Sequence, residues 1–487
     1  VSARGADGAF PISSSPKAAG RGGTDLAVAD DTFTVTANPA GMTNLGGSRI
    51  DLSLGFYAGQ DSYTNAYNHD ETVEHFPIPA PAFGFVQSVG DTGSDTDPDA
   101  PPPFAFGIEF EPVSGGGGSA VFRTPLFTGG ERETSNLMVL GLSFGVAVQV
   151  HPRLSLGLSL TALYASLSQQ GLVGGVGPAP TNGLVRNFQS GQLDGSDPYF
   201  LVNGTPASWG SVLSAASAPN TFSSAIVNVQ NATGFGGSGT IGALWKVMDE
   251  LSIGAAYKTP GFLSPLVGKA TLNAQAATSA GSSALNTIQT NFLANHLPDG
   301  GTNLVSNFGA RLSGLSMPQT LGLGAAFWPI PRVLLALDLK WIDWRTALNT
   351  VNVSLTHGTN RDLSEIISNQ ATSNISSTVL LRWHDQVVVA AGVAVSPLDW
   401  LRLRAGYNYA KDPIPTRTEG PLTPATVEHH MTLGAGLVFG HVSFDLAWVH
   451  AFAKSTTING SGVNPAFDGT RHKADQDAIL LGGSYEF

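Results

Sequence analysis

Two neighbouring segments constrain this chain more than any other feature. Leu140, Leu142, Phe144, Val146, Val148 and Val150 alternate with Gly141, Ser143, Gly145, Ala147 and Gln149. After a reversal at His151 to Arg153, Leu154, Leu156, Leu158, Leu160 and Tyr164 alternate with Ser155, Gly157, Ser159 and Thr161. A period of two marks β-strands, here with one face wholly apolar and the other built of small residues. A soluble sandwich carries Lys, Glu and Thr on its outer face. Small residues suit a crowded interior instead, with the apolar face turned to lipid.

Composition agrees with that reading. Only 12% of the residues are charged, about half the usual share of a soluble protein. No run of about 18 apolar residues occurs, so no transmembrane helix is expected; a chain that spans a bilayer without helices must close its strands into a barrel. The absence of cysteine fits an oxidising compartment reached without disulfides. If the chain is exported, its start at Val1 is that of a processed form. A net charge of −12 disfavours nucleic acid as a partner.

The alternation recurs at Leu321 to Phe327 and at Val442 to Trp448, and it divides residues 48–487 into fourteen strands. Connections 151–153, 247–250, 328–332, 396–399 and 440 are short, whereas 170–231, 274–313, 347–376, 413–426 and 455–475 are long. An even strand count with short turns at one end and long loops at the other describes a bacterial outer-membrane barrel. The acidic connection 89–103 breaks the rule by being long on the short side. Tyr164, Trp245, Trp328, Trp341, Trp344 and Trp448, near strand ends, fit interfacial girdles or ordinary aromatic core. The last strand ends in Tyr485 and Phe487, similar to the aromatic terminus of such barrels.

Residues 1–47 lack this periodicity. The stretch SSSPKAAGRGGTDLAVADDTFTVTANPAGM (13–42) resembles the N-terminal hatch of the long-chain fatty acid transporter (FadL) family. WIDW (341–344), RWHDQ (382–386) and RAGYNYAKDPIP (404–415) match further along. The expected fold is therefore an all-β, 14-stranded antiparallel transmembrane barrel (48–487) with a hatch (1–47) in its lumen. Independently of the family, Pro39 fixes φ and Gly41 permits a tight reversal, so that Asn38 can bond backbone at a turn. A polar segment of this kind needs a polar lumen to satisfy it.

The resemblance implies that Asn38, Pro39 and Ala40 form the hatch motif and that Arg404 and Asp385 hold it. Arg404 falls on the inward face of its strand, whereas strict alternation points Asp385 at lipid unless a bulge or a position above the bilayer intervenes. Loops 170–231 and 274–313 are apolar for exposed segments, which marks a binding region or loops packed on each other. The candidate ligand contacts are Phe10, Ile12, Trp209, Leu213, Leu285, Ile288 and Phe292. Pro112, Gly115 and Gly116 follow a short strand, as a kink that opens the wall sideways or as a loop tip.

The expected function is passive uptake of hydrophobic molecules, fatty acids or hydrocarbons, by loop capture, hatch displacement and lateral exit at the bacterial outer membrane. The alternatives are a small-solute porin and a structural or adhesive barrel that binds a partner protein. A monomer in contact with outer-membrane lipid and lipopolysaccharide is expected. GLSFG (141–145) lies in mid-strand, unlike a nucleophile elbow. Asp91, Asp95, Asp97 and Asp99 lack the Gly and Glu of a calcium loop, and His429 and His430 face opposite sides of one strand. No catalytic set, metal or cofactor is expected. For a carboxylate ligand the candidate cations are Arg186, Lys258 and Lys269.

Overall fold

The computed structural model describes residues 7–74, 79–89, 104–124, 127, 129–172, 181–189, 191–196, 198–215, 225–274, 292–420, 422, 427–462 and 464–487. The alternating segments form fourteen wall strands. These are β1 (Ser48–Thr64), β2 (Pro79–Val89), β3 (Phe104–Phe122), β4 (Glu131–His151), β5 (Leu154–Leu172) and β6 (Ile226–Met248). Next come β7 in three pieces (Leu251–Lys258, Gly261–Leu263, Leu266–Asn273) and β8 likewise (Val305–Ser313, Ser316–Met317, Thr320–Ile330). Two strands have two pieces each, β9 (Val333–Ile342, Thr350–Thr356) and β10 (Ile375–Leu380, Gln386–Leu398). The last four are β11 (Leu401–Ala410), β12 (His429–Phe439), β13 (Val442–Thr457) and β14 (Arg471–Glu486).

Each strand pairs antiparallel with its neighbours in sequence, and β14 closes on β1 from Arg49 opposite Glu486 to Thr64 opposite Arg471. Closure removes the sheet edges, which a bilayer would leave unsatisfied. Along β9, Leu335, Leu337 and Leu339 are exposed whereas Leu334, Ala336 and Asp338 are buried. The apolar row is therefore the outer face of a barrel whose interior is occupied. The long connection 89–103 falls largely outside the described residues.

Residues 7–47 occupy the interior. They form two short helices, Pro16–Ala19 and Thr34–Ala37, and a 3-10 helix, Pro39–Asn44. Ser15 caps the first by accepting the Lys17 and Ala18 amides, both at 3.1 Å. Pro16 at the first helical position gives up a donor that had no partner there.

At the other end the long connections fold over the mouth. The helix Arg361–Ser368 is capped by Asn360, which accepts the Leu363 amide at 2.8 Å, and ends on Asn369 at φ 54°. Leu363, Ile366 and Ile367 of this helix join Val185, Trp209, Leu293 and Leu297 in one apolar cluster. One expected girdle residue goes elsewhere. The first piece of β9 ends at Ile342, Asp343 caps a helical turn Trp344–Ala347, and Trp344 swings inward to 2% exposure. There it donates to Gln386 Oε1 at 3.1 Å and packs on Phe10 and Trp383.

Candidate functional site

Asn38 performs three tasks with one side chain. Its Oδ1 accepts the Ala40 amide at 3.3 Å, and its Nδ2 donates to the carbonyls of Leu26 at 2.6 Å and of Ala243 on β6 at 3.1 Å. It thus closes a turn, joins two parts of the N-terminal segment and ties both to the wall. The facing wall positions are glycines because nothing larger fits. A Cβ on Gly242 would lie 2.1 Å from Asn38 Oδ1, and one on Gly157 would lie 2.4 Å from the Ala40 nitrogen. The same holds at Gly254, 1.8 Å from the Leu26 carbonyl oxygen, and at Gly406, 2.2 Å from the Gly22 nitrogen. The small-residue inner faces are therefore seats for backbone.

Between these seats, wall side chains satisfy the segment's polar groups. Asp338 Oδ2 accepts the Asp25 and Leu26 amides at 2.9 and 3.1 Å, and Asp51 Oδ2 accepts the Thr32 amide at 2.9 Å. Glu109 accepts the Thr36 amide at 3.0 Å and its hydroxyl at 2.8 Å, and Asn408 donates to the Gly22 carbonyl at 3.0 Å. These acids escaped the sequence reading. Their signal was a lone carboxylate at inward parity in an apolar strand, as in IDLSLG and LALDLKW.

Arg404 is inward and buried, as alternation requires, but its Nη1 donates to Asp445 Oδ1 at 2.7 Å. Lys17 of the N-terminal segment reaches the other oxygen of Asp445 at 3.9 Å, so Arg404 meets the segment through a shared carboxylate and not through Asn38 or Pro39. Asp385 stands elsewhere. The second piece of β10 begins at Gln386, and Asp385, in the break before it, accepts the Arg345 amide at 3.3 Å. The break removes it from the alternation that had set it against lipid.

The wall is not uniformly paired. β2 and β3 are bonded from Val89 opposite Phe104 to Phe83 opposite Phe110; Pro79 to Ala82 make no such pair, and the same register resumes with Glu74 opposite Ser119. Pro79 to Ala82 still pair with β1, and Pro112 to Gly118 still pair with β4, interrupted by a bulge at Val113. Gly115 and Gly116 are therefore within a strand, not at a loop tip. Pro112 has no N–H to donate, and neither do Pro79 and Pro81 across the seam. The proline-rich start of β2 was legible in the sequence but went unused. Behind the seam stands the N-terminal segment, with Ser14 donating to Glu111 Oε2 at 2.7 Å and Ser114 donating to the Ala9 carbonyl at 2.9 Å.

A cavity of about 160 Å³ lies beside this contact, lined by Phe10, Pro11, Ile12, Pro112, Val113 and Lys258 among others. The structure thus brings Phe10, Ile12 and Pro112 together. Trp209 is elsewhere, 1% exposed in the loop cluster, with its ring edge-on to Phe292 at 6.1 Å. Phe200 also meets Phe292 edge-on at 5.2 Å, so these two loops pack on each other and on the helix Arg361–Ser368. Leu213 belongs to the helix Trp209–Ala215; Leu285 and Ile288 lie outside the described residues. Of the three cations, Lys258 lines the cavity, Arg186 lies 3.5 Å from Glu365 in the loops, and Lys269 points outward. In the connection between β11 and β12, burial pushes the Glu419 carboxyl up to about 7, although Thr456 donates to it at 2.9 Å.

The sequence family described as outer membrane protein transport protein (OMPP1/FadL/TodX) matches residues 12–487. Among solved structures, the toluene transporter TodX of Pseudomonas putida is 18% identical and superposes with a TM-score of 0.67, over 99% of this chain and 98% of that one. The toluene transporter TbuX of Ralstonia pickettii gives 16% identity and a TM-score of 0.64, over 99% of both chains. A FadL homologue of Pseudomonas aeruginosa gives 16% and 0.64, over 99% and 100%. A search of curated proteins finds no match.

Proposed function

Because the chain belongs to the outer membrane protein transport family (OMPP1/FadL/TodX), a family of bacterial outer-membrane barrels, we propose that it admits small hydrophobic molecules and releases them sideways into the bilayer. The solute enters at the loop cluster, where apolar surface from three long connections meets. It settles in the cavity between the N-terminal segment and the wall, and it leaves where β2 and β3 part. The N-terminal segment acts as the hatch. Sideways release suits an apolar solute, which saves about 0.8 kcal/mol per CH₂ by never entering water.

One observation carries this reading: the cavity of about 160 Å³ has Pro112 and Val113 in its lining, where the β2–β3 pairing is interrupted. Its volume favours one ring over a long alkyl chain, since a cavity of roughly 150 Å³ holds a benzene. Toluene is the solute named for two of the structural neighbours, and we extend that solute class to this chain. Lys258 on the lining would accommodate a polar substituent on the ring.

The test is uptake of labelled monoaromatics and long-chain fatty acids by cells that carry this protein as their sole transporter of the class, together with planar-bilayer conductance. Ring uptake without steady conductance is the expected result. A large steady conductance from the intact protein would instead establish a porin. Loss of binding and uptake for fatty acids, alkanes and aromatics alike would leave a structural or adhesive barrel.

A further inference from the structure

We propose that the outward face of β7 and β8, at the long-loop end, binds the phosphorylated headgroup of lipid A in the outer leaflet. Two cations meet there. Val267 lies opposite Arg311 and Lys269 opposite Gly309, so Lys269 and Arg311 are diagonal cross-strand neighbours. Such pairs stand about 7–8 Å apart, within reach of one phosphate or of two on one sugar backbone. Gly309 has no side chain to crowd the Lys269 stem. Both cations are exposed, and among the described residues neither takes part in an ion pair.

Among the described residues no carboxylate stands beside them on the outer face. The outward positions beside them are Gln230 on β6, Thr271, Asn307 and Ser354 on β9, and Thr271 donates to Asn307 Oδ1 at 2.9 Å. Asn352 continues the row, so the patch offers hydroxyls and amides but no acid. Three other exposed cations are neutralised locally, Arg332 by Asp399 at 2.7 Å, Arg361 by Asp299 at 3.2 Å and Lys246 by Asp249 at 3.6 Å. Directly below the patch the wall turns apolar, with Phe262 70% and Val267 54% exposed. An occupant must therefore be anionic above and aliphatic below. Lipid A has that order, with phosphates at the headgroup and acyl chains beneath. Arg311 supplies a fork that matches phosphate oxygens, and Lys269 supplies a point charge.

The experiment uses the full chain, extracted from outer membranes in mild detergent, and measures the lipopolysaccharide retained per protein after washing. Each cation near an anionic lipid surface contributes about 1 kcal/mol, so the K269Q/R311Q double variant should retain the lipid roughly thirtyfold more weakly than the parent. K473Q, whose outward neighbours on β14 are Asp475 and Asp477, should retain it unchanged. Parent protein refolded with lipid A stripped of its phosphates should lose retention as the double variant does. Heat-modifiable migration reports that each barrel is folded; if the double variant fails to fold, the dephosphorylated lipid decides. Equal retention by the folded double variant, or equal retention of dephosphorylated lipid A, overturns the proposal. Ring uptake is read separately, so failure here is distinct from failure of the transport reading.

Discussion

The two sides of the barrel interior treat the N-terminal segment in opposite ways. Along β5 to β7 and again on β11, glycines let the segment's backbone come within a distance that no side chain would allow. At the gap between β2 and β3, prolines deny the wall its own hydrogen bonds, and the segment is held there through two serines, Ser14 and Ser114, whereas farther along the same strands Glu109 and Ser88 bond it. Away from the gap the segment is fixed by close packing and buried carboxylates. At the gap the contact is a weak one across an unpaired seam.

The largest effect should come from filling a seat. In Gly254→Val the new side chain begins 1.8 Å from the Leu26 carbonyl oxygen, and backbone cannot step aside as a flexible side chain can. The barrel should still form while the segment is displaced, giving steady conductance where the parent gives none; a silent Gly254→Val channel would mean that the seat does not hold the segment. Asn38→Ala should act in the same direction but less. It leaves the buried carbonyls of Leu26 and Ala243 without their donor, a loss of about 1–3 kcal/mol, so brief openings should become more frequent in single-channel records without a permanent pore.

On the opposite side the expected change is a loss of traffic. Deleting Val113 removes the bulge and restores the β3–β4 register. Ring uptake should fall several-fold, and by more than ring binding measured by equilibrium dialysis; unaltered uptake would move the exit away from this seam. The smallest effect concerns the loops. Glu419 holds its proton in the folded state up to about pH 7, against an ordinary value of 4.5. Its folded pKa is raised, so the folded state binds the extra proton between these values, and loop stability should decline as pH rises from about 4.5 to 7. Hydrogen exchange near Thr456 should follow that window, and Glu419→Gln should flatten it.

The wall was legible because alternation is local. Leu335, Leu337 and Leu339 announce a lipid face from a handful of consecutive residues. The NPA motif could likewise be read as a turn, because Pro39 and Asn38 act on their own backbone. What Asn38 bonds beyond its turn could not be read. Its wall partner is a carbonyl on β6, more than two hundred residues away, and every residue has a carbonyl.

Arg404 and Asp385 show where the boundary lies. Parity placed Arg404 inward, but only the register of β11, β12 and β13 brings Asp445 to it. Alternation through a continuous strand pointed Asp385 at lipid, and the break before Gln386 removes that premise. Trp344 left its expected girdle for the same reason, since Asp343 ends the first piece of β9 and turns the chain inward. The sequence by itself determined a closed barrel with a lipid-facing exterior and a small-residue interior, because those depend on a period of two. Tertiary structure alone decided that the interior glycines seat a backbone, that β2 and β3 part beside a cavity, and that Lys269 and Arg311 meet on the outside. Each of these depends on which distant strands lie side by side, and strand register is a property of the closed sheet.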